Sequence, residues 1–185
     1  MLTFLQERRG LIGFALLLLL LPAALITAFQ QRWLVLFHMN DSQAMWPTIQ
    51  TDDLVLAETI TRRFFEPQSG QMIIFNSAGI EALEDIHGHD PPWLYVQRLV
   101  AKTGDSVHIA RGELNVNGET WVPAVWDGQI KPGPFLPESQ SKTIPEQCYF
   151  VIADHYRVAQ DSRHWGWVPR ENLVACVLWI FRASD

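Results

Sequence analysis

Leu11 to Phe29 carries no charged residue and is dominated by leucine. At about 1.5 Å per residue, these roughly 19 positions nearly span a hydrocarbon core of about 30 Å. The apolar core of a cleaved secretion signal is shorter, about 7–15 residues, and is followed by a small-x-small site. Ala23, Ala24 and Ala28 supply small residues but no convincing Ala-x-Ala at the right distance. The pattern predicts a retained transmembrane helix over 11–29, with Pro22 inside it as membrane helices tolerate. Beyond it the periodicity changes. Leu54-Val55-Leu56 and Met72-Ile73-Ile74-Phe75 are short apolar runs. Trp93 to Ala101, Ser106 to Ile109 and Glu113 to Val116 alternate apolar with polar positions, and Tyr149 to Ala153 and Val174 to Phe181 close the series. Gln68-Ser69-Gly70, Thr103-Gly104-Asp105 and Asn117-Gly118 punctuate them, the last being a strong hairpin signal. Many short strands with such turns predict a mostly β barrel or sandwich.

Two long stretches interrupt the strands. Ser77 to Pro92 holds Glu81, Glu84, Asp85, His87, His89 and Asp90. His-x-His beside carboxylates can bind a divalent ion. No second cluster at ligand spacing supports that, and a solvated acidic loop with no metal is the reading adopted. Trp121 to Gln147, rich in Pro, Gly and Ser, reads as an irregular surface excursion.

Charge sets the orientation. Arg8, Arg9 and the terminal amine precede the apolar span, and Arg32 follows it, which favours an N-terminus in the cytoplasm. Residues 1–10 are then cytoplasmic, 11–29 the anchor, and 30–185 one exported domain. The net charge is −6, with no basic run, which argues against nucleic acid as a partner. An acidic domain is repelled by anionic headgroups, so contact with lipid beyond the anchor must come from apolar and aromatic groups. Eight tryptophans, Trp46, Trp165 and Trp167 among them, are available for such a rim or for the core. An oxidising compartment permits a disulfide between Cys148 and Cys176. Two buried thiols are the alternative, since sequence does not supply their separation.

Five boxes carry a family resemblance. Ser42-Gln43-Ala44-Met45-Trp46-Pro47-Thr48-Ile49 resembles the nucleophile box of type I signal peptidases, the Ser/Lys membrane proteases of the S26 family, which reads Ser-Met-x-Pro-Thr. Tyr95-Val96-Gln97-Arg98-Leu99-Val100 resembles their Tyr-x-Lys-Arg-Val stretch. Ser69 to Phe75 is similar to Arg-Gly-Asp-Ile-Val-x-Phe, and Asn115-Val116-Asn117-Gly118 to a Val-Asn-Gly turn. Tyr149 to Asp154 and Asp161 to Pro169 resemble Gly-Asp-Asn-x followed by Ser-x-Asp-Ser-Arg-x-x-Gly-x-Val-Pro. Five boxes in one order, behind one apolar span, imply membership. The short length and single span look more like the conjugative-transfer branch that processes pilin precursors.

The resemblance implies a signal-peptidase-like fold, no metal or organic cofactor, and a peptide segment of an exported precursor, signal peptide or pilin as partner. It implies a bacterial inner membrane location, with the C-terminal domain in the periplasm. It also places Met45, Trp46, Pro47 and Tyr95 against the peptide, and Ser42 in the oxyanion hole. Asp154, Asp161 and Arg163 brace the site.

The chemistry itself is altered. A Ser/Lys dyad needs a hydroxyl nucleophile and a neutral amine, the lysine pKa being lowered by burial. Ala44 stands at the serine position and Gln97 at the lysine position. Ala159 occupies the place of a serine that orients the lysine. Ser42 sits about 6–7 Å from Ala44 in an extended chain, too far to attack in its place. Lys102 lies at an odd offset from Gln97, on the opposite strand face and about 16 Å along. Arg98 cannot act as a base. The sequence therefore predicts an inactive, peptide-binding relative. The alternative is a processing peptidase whose dyad has been exchanged in this sequence.

Overall fold

The computed structural model describes residues 20–28, 30–39, 43–87, 92–123, 125–126 and 128–183. The chain divides into two units, 1–35 and 36–185. In the first, residues 20–28 form a helix, α1, on which Leu20, Leu21, Leu25 and Ile26 are each more than half exposed. No helix among the described residues is long and apolar enough to cross a membrane. Residues 11–19 and Phe29 of the segment read as an anchor lie outside the described residues.

The second unit is mostly β, as its alternating pattern predicts. One sheet has the order β1 (Leu34–His38), β2 (Leu54–Glu58), β11 (Leu173–Phe181), β3 (Met72–Asn76), β4 (Leu94–Lys102), β9 (Cys148–Ile152) and β10 (Val168–Pro169). A second has the order β7 (Glu119–Thr120), β6 (Glu113–Val116), β5 (Ser106–Ala110) and β8 (Ser141–Thr143). A four-residue helix, α2 (Thr61–Phe64), follows β2. Asn117 and Gly118 join β6 to β7 with φ of 53° and 85°, the left-handed pair that a two-residue hairpin requires.

Alternation along the strands feeds three apolar clusters. Ile73 and Phe75 of β3, Leu99 of β4 and Val151 of β9 pack on one face of the larger sheet with Leu83 and Trp165. Ile74, Val96, Ala175 and Val177 pack on the other, with Met45 and Ile49 from the preceding turn. A third cluster joins Val100, Ala101, Phe150 and Ile152 to Val107, Ile109 and Leu114 of the smaller sheet. β4 serves all three because its pairing with β9 shifts by one residue between Leu99 and Ala101. That bulge buries Val100 and Ala101 in succession.

Two expectations change, and one alternative is decided. Of the two readings of the cysteines the free thiols hold, with Cys148 half-buried and Cys176 buried. They lie on β9 and β11, which are separated by β4 and β3. Three strand steps amount to about 14 Å, about twice the Cα separation that a bridge tolerates. The stretch 77–92 is not simply a loop: it contains α3 (Glu81–His87), seated by buried Ile80 and Leu83. The excursion 121–147 is not wholly superficial either, since Ile130, Leu136 and Ile144 are buried in the third cluster.

Candidate functional site

The central side chain belongs to β4. Tyr95, Gln97 and Leu99 share one strand face, and Val96 and Arg98 the other. Gln97 is only 1% exposed. Its Nε2 donates to the Gln160 carbonyl at 2.8 Å. Its Oε1 is buried and has no hydrogen-bond partner among the described residues. A neutral amide is far cheaper to bury here than a lone ammonium, yet an unpaired carbonyl still costs about 1–3 kcal/mol.

Ala44 opens the turn that carries Met45 and Ile49 into the core, and its carbonyl accepts the His155 N–H at 2.9 Å. Ala44, Gln97 and Ala159 line a single cleft of about 490 Å³. Tyr95, Leu83 and Trp165 line it as well, together with Gln43, Val158 and Gln160. Among the described residues of that lining the lone ionisable group is the Tyr95 phenol, and burial pushes it above its ordinary value. Near neutral pH those residues thus present no amine, imidazole or carboxylate to take a proton, and no aliphatic hydroxyl to attack.

Ion pairs stand beside this neutral cleft. Arg98 grips Asp154 through Nε at 2.7 Å and Nη2 at 2.6 Å, while its Nη1 donates to the Gly70 carbonyl at 2.6 Å. The Thr48 hydroxyl donates to the same Asp154 carboxylate, tying the Ala44 turn to β4. Asp161 accepts from Arg163 Nε and Nη2, both at 2.7 Å. It also caps α4 (Ser162–Trp165) through the Arg163 N–H at 3.1 Å and accepts the Ala153 N–H at 3.2 Å. Both aspartates and Arg163 are buried, and two-pronged geometry makes such contacts strong.

The other expected residues are scattered. Of the four assigned to peptide contact, Tyr95 lines the cleft and stacks on Phe75 at 5.6 Å. Trp46 is 53% exposed and its ring lies tilted against that of His155, beside a second depression that shares Gln43. Met45 is fully buried in the core, so it supports the turn from below. Pro47, joined to Trp46 by a cis bond, is half-buried and lines neither hollow. Ser42, His89 and Asp90 lie outside the described residues. Lys102 is exposed at the end of β4. No group of three or more His, Cys, Asp or Glu suited to a metal occurs among the described residues. Sequence reasoning did not place Leu83, Val158, Gln160 or Trp165 in the cleft. Trp165 lay inside the last box, and a helix of Glu81-Ala82-Leu83-Glu84 was the available signal for Leu83.

The chain is similar to several known proteins. A protein named probable signal peptidase I-2 from Synechocystis is 31% identical over 133 residues, 72% of this chain and 56% of that one. The chain therefore spans little more than half of that relative's length. A protein named inactive signal peptidase IA from Staphylococcus aureus is 24% identical over 162 residues, 85% of either chain. A crystal structure of a signal peptidase I from Enterococcus faecalis aligns with a TM-score of 0.43 at 20% identity, covering 62% of this chain and 97% of the other. The profile of the family described as signal peptidase, peptidase S26 matches residues 13–182, nearly the whole sequence, and the chain belongs to that family.

Proposed function

We propose that this chain is a membrane-anchored member of the S26 family that holds peptide segments of exported precursors, signal peptides or pilins without cutting them. The observation that carries the reading is the content of one cleft. Ala44 and Gln97 line it together, and neither can attack or accept a proton. Ala159 lines the same cleft, so a lysine restored at 97 would meet a methyl group where the family has a hydroxyl. Three altered positions suit a long-standing loss of activity better than one exchanged residue. The anchor over 11–29, the cytoplasmic N-terminus and the periplasmic domain belong to the same proposal, and rest on the apolar span and its flanking charge.

The test is cleavage of an exported precursor by purified full-length chain. The chain as written leaves the precursor intact, since losing a serine nucleophile costs on the order of 10⁶ in kcat. The double substitution Ala44→Ser with Gln97→Lys remains inactive because the surrounding shell has changed too. Strong activity on double reversion favours the second reading, a processing endopeptidase whose dyad was exchanged in this sequence. Hydrolysis by the unaltered chain, abolished by Ser42→Ala, overturns both.

A further inference from the structure

Helix α2 displays what the rest of the domain buries. None of its side chains is buried, and the five residues from Arg62 to Glu66 are all exposed. Phe64 and Phe65 are 72% and 63% exposed, and Phe64 is the most exposed large apolar residue among those described. The segment is nonetheless held at both ends. The buried Glu58 carboxylate accepts the Ile60 and Thr61 N–H groups at 2.6 and 2.9 Å. Arg170 donates to the Phe65 carbonyl at 3.1 Å and pairs with Glu66. A fixed segment with two adjacent exposed rings and no side chain in the core marks a contact surface. Its charge points the same way. Arg62-Arg63 is the only adjacent basic pair after Arg8-Arg9, in a chain of net charge −6. Both arginines line a hollow of about 580 Å³, with Arg170, Glu146 and Glu171. Neither makes a side-chain hydrogen bond or ion pair among the described residues.

Topology indicates what this surface meets. The Met39 N–H donates to the Asp53 carbonyl at 3.0 Å, and the Asp52 N–H to the Met39 carbonyl at 2.7 Å. β1 and β2 are neighbours in the sheet, so the two strands run antiparallel away from that closure. α2 follows β2, and therefore lies at the end of the sheet where β1 begins. From residue 29 to the first residue of β1 the chain reaches at most about 18 Å. We propose that α2 docks on the anionic surface of the bilayer, Arg62 and Arg63 taking lipid phosphates while Phe64 and Phe65 enter the acyl boundary. Guanidinium groups suit phosphate oxygens, and aromatic rings suit the interface beside them. The inference rests on the reading of residues 11–29 as an anchor. It adds a local attraction to a domain whose overall acidity opposes contact with such headgroups.

The experiment places the full-length chain in lipid nanodiscs, made of phosphatidylcholine alone or of a three-to-one mixture with phosphatidylglycerol. Amide hydrogen exchange over α2 is read by mass spectrometry. The N–H groups of Arg63, Phe64 and Phe65 donate to the Ile60 and Thr61 carbonyls, so they exchange only when the helix opens. In the mixture these amides exchange about tenfold more slowly than in neutral discs, the scale that two arginines at an anionic surface supply. Salt at about 1 M, where the Debye length is about 3 Å, removes the difference. Arg62→Gln with Arg63→Gln removes it too, Arg62→Lys with Arg63→Lys keeps most of it, and Phe64→Ala reduces it. None of these side chains is buried, so the fold tolerates the exchanges, and the salt series needs no variant. Equal exchange in the two lipids overturns the inference. So does a difference that survives Arg62→Gln with Arg63→Gln, or one undiminished by Phe64→Ala. Equal protection in neutral discs by inorganic phosphate also overturns it, since the site would then serve a soluble anion. A chain that does not enter the discs at all overturns the anchored reading and this inference with it, a result distinct from incorporation without protection.

Discussion

Asp154 with Arg98 and Asp161 with Arg163 form two-pronged ion pairs at 2.6–2.7 Å. Ala44 and Gln97, a few residues away in the fold, present a methyl group and an amide. The family's charges thus persist where they hold the chain together and are gone where they would do chemistry. The contrast follows from what each costs to remove. A buried ion pair stripped of one member leaves an uncompensated charge. Replacing a lysine by glutamine, and a serine by alanine, leaves no charge behind and spares the desolvation of an ammonium. Exchange of the dyad side chains is therefore structurally cheap here, whereas loss of the buttresses is not.

The contrast breaks most readily at Asp161. Asp161→Ala abandons the Arg163 guanidinium, which is 1% exposed, and should destabilise the domain by about 3–5 kcal/mol in chemical denaturation. A cost below about 1 kcal/mol would show that water reaches the guanidinium. Next comes Asp53, also buried, which accepts the Gln50 N–H at 2.9 Å, the Ala183 N–H at 3.1 Å and Arg182 Nη1 at 2.6 Å. Burial alone pushes this carboxyl up, but the two N–H donors and the guanidinium outweigh it and hold the pKa below its ordinary 3.8. A lowered carboxyl pKa gives stability that is present above 3.8 and lost as pH falls through the folded value. Asp53→Asn should cost about 1–3 kcal/mol near neutral pH, and the gap to wild type should close in acid. A gap that stays constant down to pH 2 would refute the assignment.

Inside the cleft the expected effect is smaller. Gln97→Met removes an unpaired carbonyl but also the Nε2 donor of the Gln160 carbonyl. The two effects oppose each other, and stability should change by less than about 1 kcal/mol, measured by thermal unfolding. A loss of about 3 kcal/mol or more would mean that Oε1 is satisfied after all. The smallest effect is that of reductant, which should not move the unfolding temperature, because Cys148 and Cys176 are unbridged. Burial, and then the Glu58 carboxylate, push the Cys176 thiol up to about 12, so in the folded chain it should resist alkylation. The unfolded thiol ionises near its ordinary 9.0, so that preference for the neutral form weakens the fold as pH climbs above 9.

Much of this was legible in residue order. Strand alternation and turn residues predicted the mostly β unit, and Asn117-Gly118 its hairpin. The boxes singled out Ala44, Gln97 and Ala159, which the fold brings to one cleft. What escaped has physical causes. Met45 sits in a motif assigned to peptide contact, but the turn after Ala44 drives its side chain into the core. A motif names a neighbourhood and not a direction. Helix α3 was hidden because seven residues rich in Glu and Asp read as solvated loop, although Ile80 and Leu83 anchor it. The choice between a disulfide and free thiols stayed open because sequence separation says nothing about how many strands stand between β9 and β11. Gln160 was missed because it acts through its backbone carbonyl, which every residue possesses.

Arg163 reaches beyond its carboxylate. Nη1 donates to the Lys131 carbonyl at 2.8 Å, and its own carbonyl accepts the N–H groups of Phe135 and Leu136 at 2.9 and 3.1 Å. A Cβ placed on Gly133 would strike that carbonyl, so only glycine passes there. The proline-rich excursion is thereby sewn to the centre of the domain by one residue's main chain and side chain together. It cannot be trimmed or exchanged as a decoration: shortening it would take the Lys131 carbonyl away from a buried guanidinium, and the excursion should melt cooperatively with the sheets rather than before them.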